Sequence, residues 1–145
     1  MVVNMNDYDY EELKEEDARN ELNKYAGDTD IILQDEKKRT KLLDKAHKLC
    51  IRLNNVPFIG HLLNTVVDSC SLVKDVAEGN YQAPLSTVAM LIGGIIYLVS
   101  PVDIIPDFIP LVGYFDDANI WKYILDTLEK DLNDYRYFKY DQENY

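Results

Sequence analysis

Residues 97–117 read YLVSPVDIIPDFIPLVGYFDD. Three prolines (Pro101, Pro106, Pro110) and four aspartates (Asp103, Asp107, Asp116, Asp117) stand there in an otherwise apolar and aromatic background. A proline inside a helix removes a hydrogen bond and collides with the preceding turn, and the residue before it is pushed out of helical geometry. The stretch therefore predicts an irregular, apolar turn that ends one helix and starts another, with carboxylates held at defined places. Just before it, VAMLIGGIIYLV (residues 88–99) is apolar all the way round, and no charge occurs between Glu78 and Asp103. Such a helix is either central in a protein core or placed in lipid. Just after it, Ile120, Trp121, Ile124, Leu125, Leu128 and Leu132 share one face of a helix running from about Asp117 to Tyr135.

Further out, the pattern stays helical. From Glu36, Leu42, Leu43, Ala46, Leu49, Cys50 and Leu53 recur at three- and four-residue spacing, while Lys38, Lys41, Lys45, Lys48 and Arg52 occupy the opposite face. Asn54–Asn55 breaks that helix, and Pro57 suits the first turn of the next. The next helix runs to about Glu78 on the stripe Ile59, Leu62, Leu63, Val66, Val67, Cys70, Val73 and Val76, with Gly79 placed to end it in a left-handed residue. Two amphipathic helices joined by a short turn predict an antiparallel hairpin. Ser86 or Thr87 is the expected cap of the apolar helix. No strand-like alternation of useful length occurs. The fold class expected is all-α, a small bundle of about four helices.

Residues 1–35 form an acidic N-terminal arm, with Glu11–Tyr25 able to be helical and Gly27 to end that helix. Residues 36–135 form the helical domain, and 136–145 a polar, tyrosine-rich tail expected to fray. The 145-residue chain is long enough to bury a core without disulfides or metals. Its net charge of −11 argues against nucleic acid as a partner, since phosphate binding needs clustered Lys and Arg. The charge is divided unevenly: net −9 over residues 1–36, +6 over 37–74 and −8 over 75–145. The basic block is either neutralised by its acidic neighbours or drawn to anionic lipid. Cys50, Cys70, His47 and His61 make no zinc pattern and include no CxxC pair. The acidic N-terminus lacks the basic start and apolar run of a secretory signal.

The stretch Ser100-Pro101-Val102-Asp103, Pro106-Asp107-Phe108-Ile109-Pro110, Gly113-Tyr114 and Asp116-Asp117, preceded by GNYQAP and the apolar helix, resembles the signature of the YkvA-like bacterial proteins, the domain of unknown function 1232. A weaker likeness extends over roughly residues 38–128. The resemblance implies a small helical domain that associates with membranes through a hairpin. It brings no catalytic residue with it, only motif positions: Tyr97, Ser100, Pro101, Asp103, Pro106, Asp107, Pro110, Gly113, Tyr114, Asp116 and Asp117.

A spanning helix needs about 20 mostly apolar residues. The charge-free stretch around residues 88–99 reaches that length only with its flanks, and the return leg, 104–115, contains Asp107 and two prolines. Three placements stay open: a bundle with the apolar helix at its centre, a re-entrant hairpin entered from the cytoplasmic face, and two true spans. The aspartates are expected to cap or turn the chain, Asp116 or Asp117 at the final helix and Asp103 and Asp107 at the prolines. Converging, the four would instead offer a hard-cation site. His47 and His61 are expected to be surface residues and not a catalytic pair.

The function expected is that of a non-enzymatic, YkvA-like accessory protein, membrane-associated or membrane-embedded and facing the cytoplasm, with no cofactor. Its partner would be the lipid bilayer or a protein, and it could self-associate as a homo-oligomer. The alternative is a cytoplasmic, soluble acidic interaction module that binds a basic partner, as a regulator or immunity-type protein does. A carboxylate-based metal enzyme is a third.

Overall fold

In the computed structural model residues 26–55, 60–99 and 112–143 are described, with Ala26 and residues 112–120 described by their backbone alone. A 3-10 turn at Ala26–Asp28 leads into five helices: α1 (Thr29–Gln34), α2 (Glu36–Leu53), α3 (Gly60–Ala77), α4 (Leu85–Val99) and α5 (Val112–Glu143). No strand occurs among the described residues. The all-α class expected from periodicity holds. The Glu11–Tyr25 helix lies outside the described residues.

Asp35 joins α1 to α2 and serves both. Its backbone is extended, its N–H donates to Ile31 O at 2.9 Å, and its Oδ1 accepts from the Lys38 N–H at 3.1 Å. One residue thus closes a helix C-terminus and caps the next N-terminus. Arg39, buried on the first turn of α2, reaches back and donates from Nη1 to Leu33 O at 2.9 Å. That cation stands at the negative end of α1, where the helix dipole favours it. Ile32 of α1 belongs to the core, so the residues just ahead of position 35 pack onto the bundle.

The apolar stripe of α2 faces inward as expected: Leu42, Ala46, Leu49, Cys50 and Leu53 are buried. α3 buries Leu63, Val66 and Val73 from its expected stripe, but Val67 is left 45% exposed. A second face, Thr65, Ser69, Leu72 and Asp75, is buried as well. Polar residues at three- and four-residue spacing mark a helical face as clearly as apolar ones do, and this face meets α5.

Gly79 ends α3 at φ +79°. Asn80 N–H donates to Asp75 O at 2.8 Å and Gly79 N–H to Val76 O at 3.1 Å, the paired bonds of a Schellman motif. A side chain in this left-handed backbone costs about 1–2 kcal/mol. Gly79→Val is accordingly expected to lower stability by about that amount in urea unfolding, although a Cβ there would meet nothing within 4 Å.

α4 lies at the centre, packed against the 3-10 turn, α1, α2, α3 and α5. Leu91, Ile92 and Ile95 are fully buried. One expectation needs correction here. The helix begins at Leu85, three residues before the apolar run, so Ser86 and Thr87 lie inside its first turn and cap nothing. Thr87 is buried and donates its hydroxyl proton to Asp131 Oδ2 of α5 at 2.6 Å.

α5 spans 32 residues, about 48 Å at helical rise. Leu128 departs from helical geometry (φ −110°, ψ 15°) and divides it into two limbs. The first limb lays Trp121 and Ile124 on α4. The second continues to Glu143 where fraying from Tyr135 was expected. Tyr135 and Phe138, three residues apart, share a buried side and clamp Tyr81 of the α3–α4 loop. Ring centroids lie at 5.0 Å for Tyr81–Tyr135 and 4.8 Å for Tyr81–Phe138. Aromatic pairs at such distances add to the area they bury, and they hold the end of the helix down.

Candidate functional site

The densest polar chemistry among the described residues is the seam between α3 and the second limb of α5. Ser71 and Asp75 lie one turn apart on α3, with Tyr135 and Lys139 one turn apart on α5. Tyr135 is buried (1% exposed) and donates its phenolic proton to Asp75 Oδ2 at 2.5 Å. Ser71 Oγ lies 2.5 Å from the same phenolic oxygen. A phenol has one proton, so Ser71 must be the donor and the chain runs Ser71 to Tyr135 to Asp75. Lys139 Nζ sits 3.3 Å from Asp75 Oδ2 and balances its charge.

A second cluster lies one to two turns toward the start of α3. Arg136 Nε donates to Asp68 Oδ2 at 2.7 Å, and its Nη1 to Asn133 Oδ1 at 3.0 Å. Thr65 and Ser69 return their hydroxyl protons to backbone carbonyls four residues earlier, at 3.1 and 2.7 Å. These polar groups are partnered within the bundle, as buried polar groups must be. The seam acts as a clasp that fixes the register of α5 on α3.

Burial raises the Tyr135 phenol above its usual range, and the Asp75 carboxylate adds to the rise by accepting the proton. Burial also pushes the Cys70 thiol up to about 12, with a smaller contribution from Cys50. Both groups are neutral in the native state and lose protons sooner in the unfolded chain. Their contribution to stability is therefore complete below about pH 9 and is lost as pH rises through their raised native values. Melting temperature is expected to fall from about pH 9 upward, and less so in a Tyr135→Phe/Cys70→Ala variant.

The positions singled out in sequence divide differently. Tyr97 is half-buried near the end of α4. Ser100, Pro101, Asp103, Pro106, Asp107 and Pro110 lie outside the described residues. Gly113, Tyr114, Asp116 and Asp117 fall in the opening turns of α5, of which the backbone is described. α5 starts at Val112, so positions 116 and 117 lie within the helix, beyond the N-cap expected of them. His47 and His61 are exposed, on α2 and α3. No group of three or more His, Cys, Asp or Glu side chains is placed to hold a metal ion among the described residues. The seam residues escaped sequence reasoning because that reasoning followed the apolar stripe of α3 alone. The signal that could have found them is the helical spacing of Thr65, Asp68, Ser71 and Asp75, matched by Tyr135, Arg136 and Lys139.

A small all-α domain built round one apolar helix, with a proline- and aspartate-rich sequence directly after it, is the class these features define. Residues 87–120 match the family described as "Protein of unknown function (DUF1232)". Over 65 residues the chain is 35% identical to a protein of Bacillus subtilis (strain 168) described as "Uncharacterized membrane protein YkvA". That match covers 44% of this chain and 61% of the relative's length. The resemblance to the YkvA-like proteins is thus borne out. No solved structure matches the chain. No helix among the described residues is long and apolar enough to cross a membrane.

Proposed function

We propose that this chain is a non-enzymatic accessory module that associates with the cytoplasmic face of a membrane while keeping its apolar helix as its own core. The observation that carries this is the enclosure of α4. The helix that sequence alone would offer to lipid has Leu91, Ile92 and Ile95 fully buried by protein. Pulling it into a bilayer would strip the bundle of its centre, and helix–helix contacts in lipid gain no hydrophobic drive to replace it. The membrane relationship itself is supported by the likeness to the Bacillus subtilis membrane protein. Attachment at the surface reconciles the two.

Fractionation of cells without detergent tests the reading. The protein is expected in the membrane pellet and is expected to be released by a carbonate wash. Retention after carbonate would overturn surface attachment in favour of embedding. Complete recovery in the soluble fraction would remove the membrane reading altogether. That outcome would favour a soluble interaction module, which the acidic surface of α5 also suits, with exposed Asp126, Glu129, Asp134, Asp141 and Glu143.

A further inference from the structure

The basic block of the sequence becomes a defined surface in the fold. α2 carries Lys37, Lys38, Arg39, Lys41, Lys45, Lys48 and Arg52 against Glu36 and Asp44 alone, a net charge of +5 in a chain of net −11. Arg39 is turned inward to α1. The other six fall within about 100° of helix circumference at 100° per residue. From Lys37 to Arg52 they form a ladder about 22 Å long at helical rise. Asp44 lies outside this arc, toward Thr40, His47 and Ile51. The charges are therefore sorted onto one edge of the exposed face.

Four features orient this edge toward solvent and toward an anionic partner. The opposite side of α2 is anchored in the core by Leu42, Ala46, Leu49 and Leu53, so the edge has a fixed orientation. Lys37, Lys38, Lys41, Lys48 and Arg52 are exposed, and no salt bridge among the described residues neutralises Lys37, Lys41 or Lys48. Ile51, 62% exposed, stands beside the ladder as an apolar contact. The acidic helix α5, net −4, packs on α3 and α4 and leaves α2 to its own side. Negative charge elsewhere repels an anionic surface and positive charge on α2 attracts it, which selects one orientation of approach.

We infer that the Lys37–Arg52 edge of α2 is the face that docks on anionic phospholipid headgroups. This rests on the membrane reading above and names the surface and the lipid class. Sedimentation with phosphatidylcholine vesicles, with and without phosphatidylserine, reads it directly. The intact chain is expected to bind vesicles containing phosphatidylserine, to ignore phosphatidylcholine alone, and to release as salt screens the charges. At about 1 kcal/mol for each lysine near such a surface, Lys37→Gln/Lys41→Gln/Lys48→Gln is expected to weaken binding roughly 100-fold.

The same charge change placed elsewhere, Lys74→Gln/Lys122→Gln/Lys130→Gln, is expected to leave binding nearly intact. All six lysines are exposed, so both variants should keep native helicity by circular dichroism. Equal loss in the two variants would overturn the assignment to α2, as would equal binding to both vesicle types. A protein that pellets with membranes in cells yet binds neither vesicle would overturn a lipid partner, point to an acidic protein on the membrane, and leave the membrane reading standing. Full solubility in cells would remove both.

Discussion

Asp75→Ala is expected to lower the unfolding free energy by about 2–3 kcal/mol, and to loosen the second limb of α5 before the rest of the bundle. The carboxylate accepts the only proton of a phenol that is 1% exposed. Removing it takes away the charged acceptor and leaves Ser71 Oγ, 2.5 Å away, as the neutral acceptor for the Tyr135 proton, so a hydrogen bond to a charge is lost and the Ser71 proton loses its partner. Lys139 loses its partner too, but its side chain is 36% exposed and can turn to water. The ion pair therefore contributes less than the hydrogen bond. For a chain of this length the loss corresponds to a fall in melting temperature of roughly 6–12 °C.

Because Leu128 breaks helical geometry, the limb beyond it can detach as a unit. Amide hydrogen exchange is expected to accelerate over residues 129–143 in Asp75→Ala while residues 88–95 of α4 stay protected. Tyr135→Phe alone should cost about 1 kcal/mol, and the double variant less than the two single losses added, since each removes the other's partner. Strict additivity, or a loss below about 1 kcal/mol for Asp75→Ala, would mean that the chain from Ser71 through Tyr135 to Asp75 is not a coupled clasp.

How far this fold could be read in advance depended on which property carried the information. Apolar spacing located α2 and the stripe of α3, because burial of Leu and Val is driven by area and shows directly as periodicity. Gly79 announced the end of α3 because only glycine enters that backbone region cheaply. The centrality of α4 was one of two readings left open by a helix apolar on every face, and tertiary contact decided it. Polar burial was only half legible. Thr65, Ser69 and Asp75 become interior residues only when Tyr135 and Arg136 arrive from some 60–70 positions away, so their helical spacing marks a face without naming what covers it. The same long-range pairing explains why Tyr135–Glu143 reads as a fraying tail and is helix. Its stability comes from Tyr81 and Asp75, not from its own polar sequence.

Gly94→Val is expected to destabilise the α4–α5 interface by about 3 kcal/mol. A glycine pair in an apolar helix suits close approach in lipid or in a soluble core, so sequence leaves its purpose open. In the fold the approach is made by α5. A Cβ on Gly94 would overlap Ile124 Cδ1 and come within 3.2 Å of Trp121 Cζ2. Ile124 is 0% and Trp121 1% exposed, so neither can swing into solvent to make room.

Alanine at Gly94 would recover about 1 kcal/mol of helix propensity against an overpacking cost of about 1–3 kcal/mol, leaving a small net loss. Valine adds two further methyl groups to the same space with less propensity to offset them. Shortening the neighbour should relieve the clash: Gly94→Val/Ile124→Ala is expected to be more stable than the summed single variants by at least about 1 kcal/mol in urea unfolding. Additive losses would show that the two helices had moved apart instead of packing tightly at this point. Gly94 and Ile124 lie on the two helices that flank residues 100–111 in sequence, away from the basic edge of α2. A Gly94→Val chain that remains folded at low temperature, with its α2 edge unchanged, is therefore expected to keep its affinity for anionic vesicles. Loss of that affinity would place the decisive membrane contact near the α4–α5 joint.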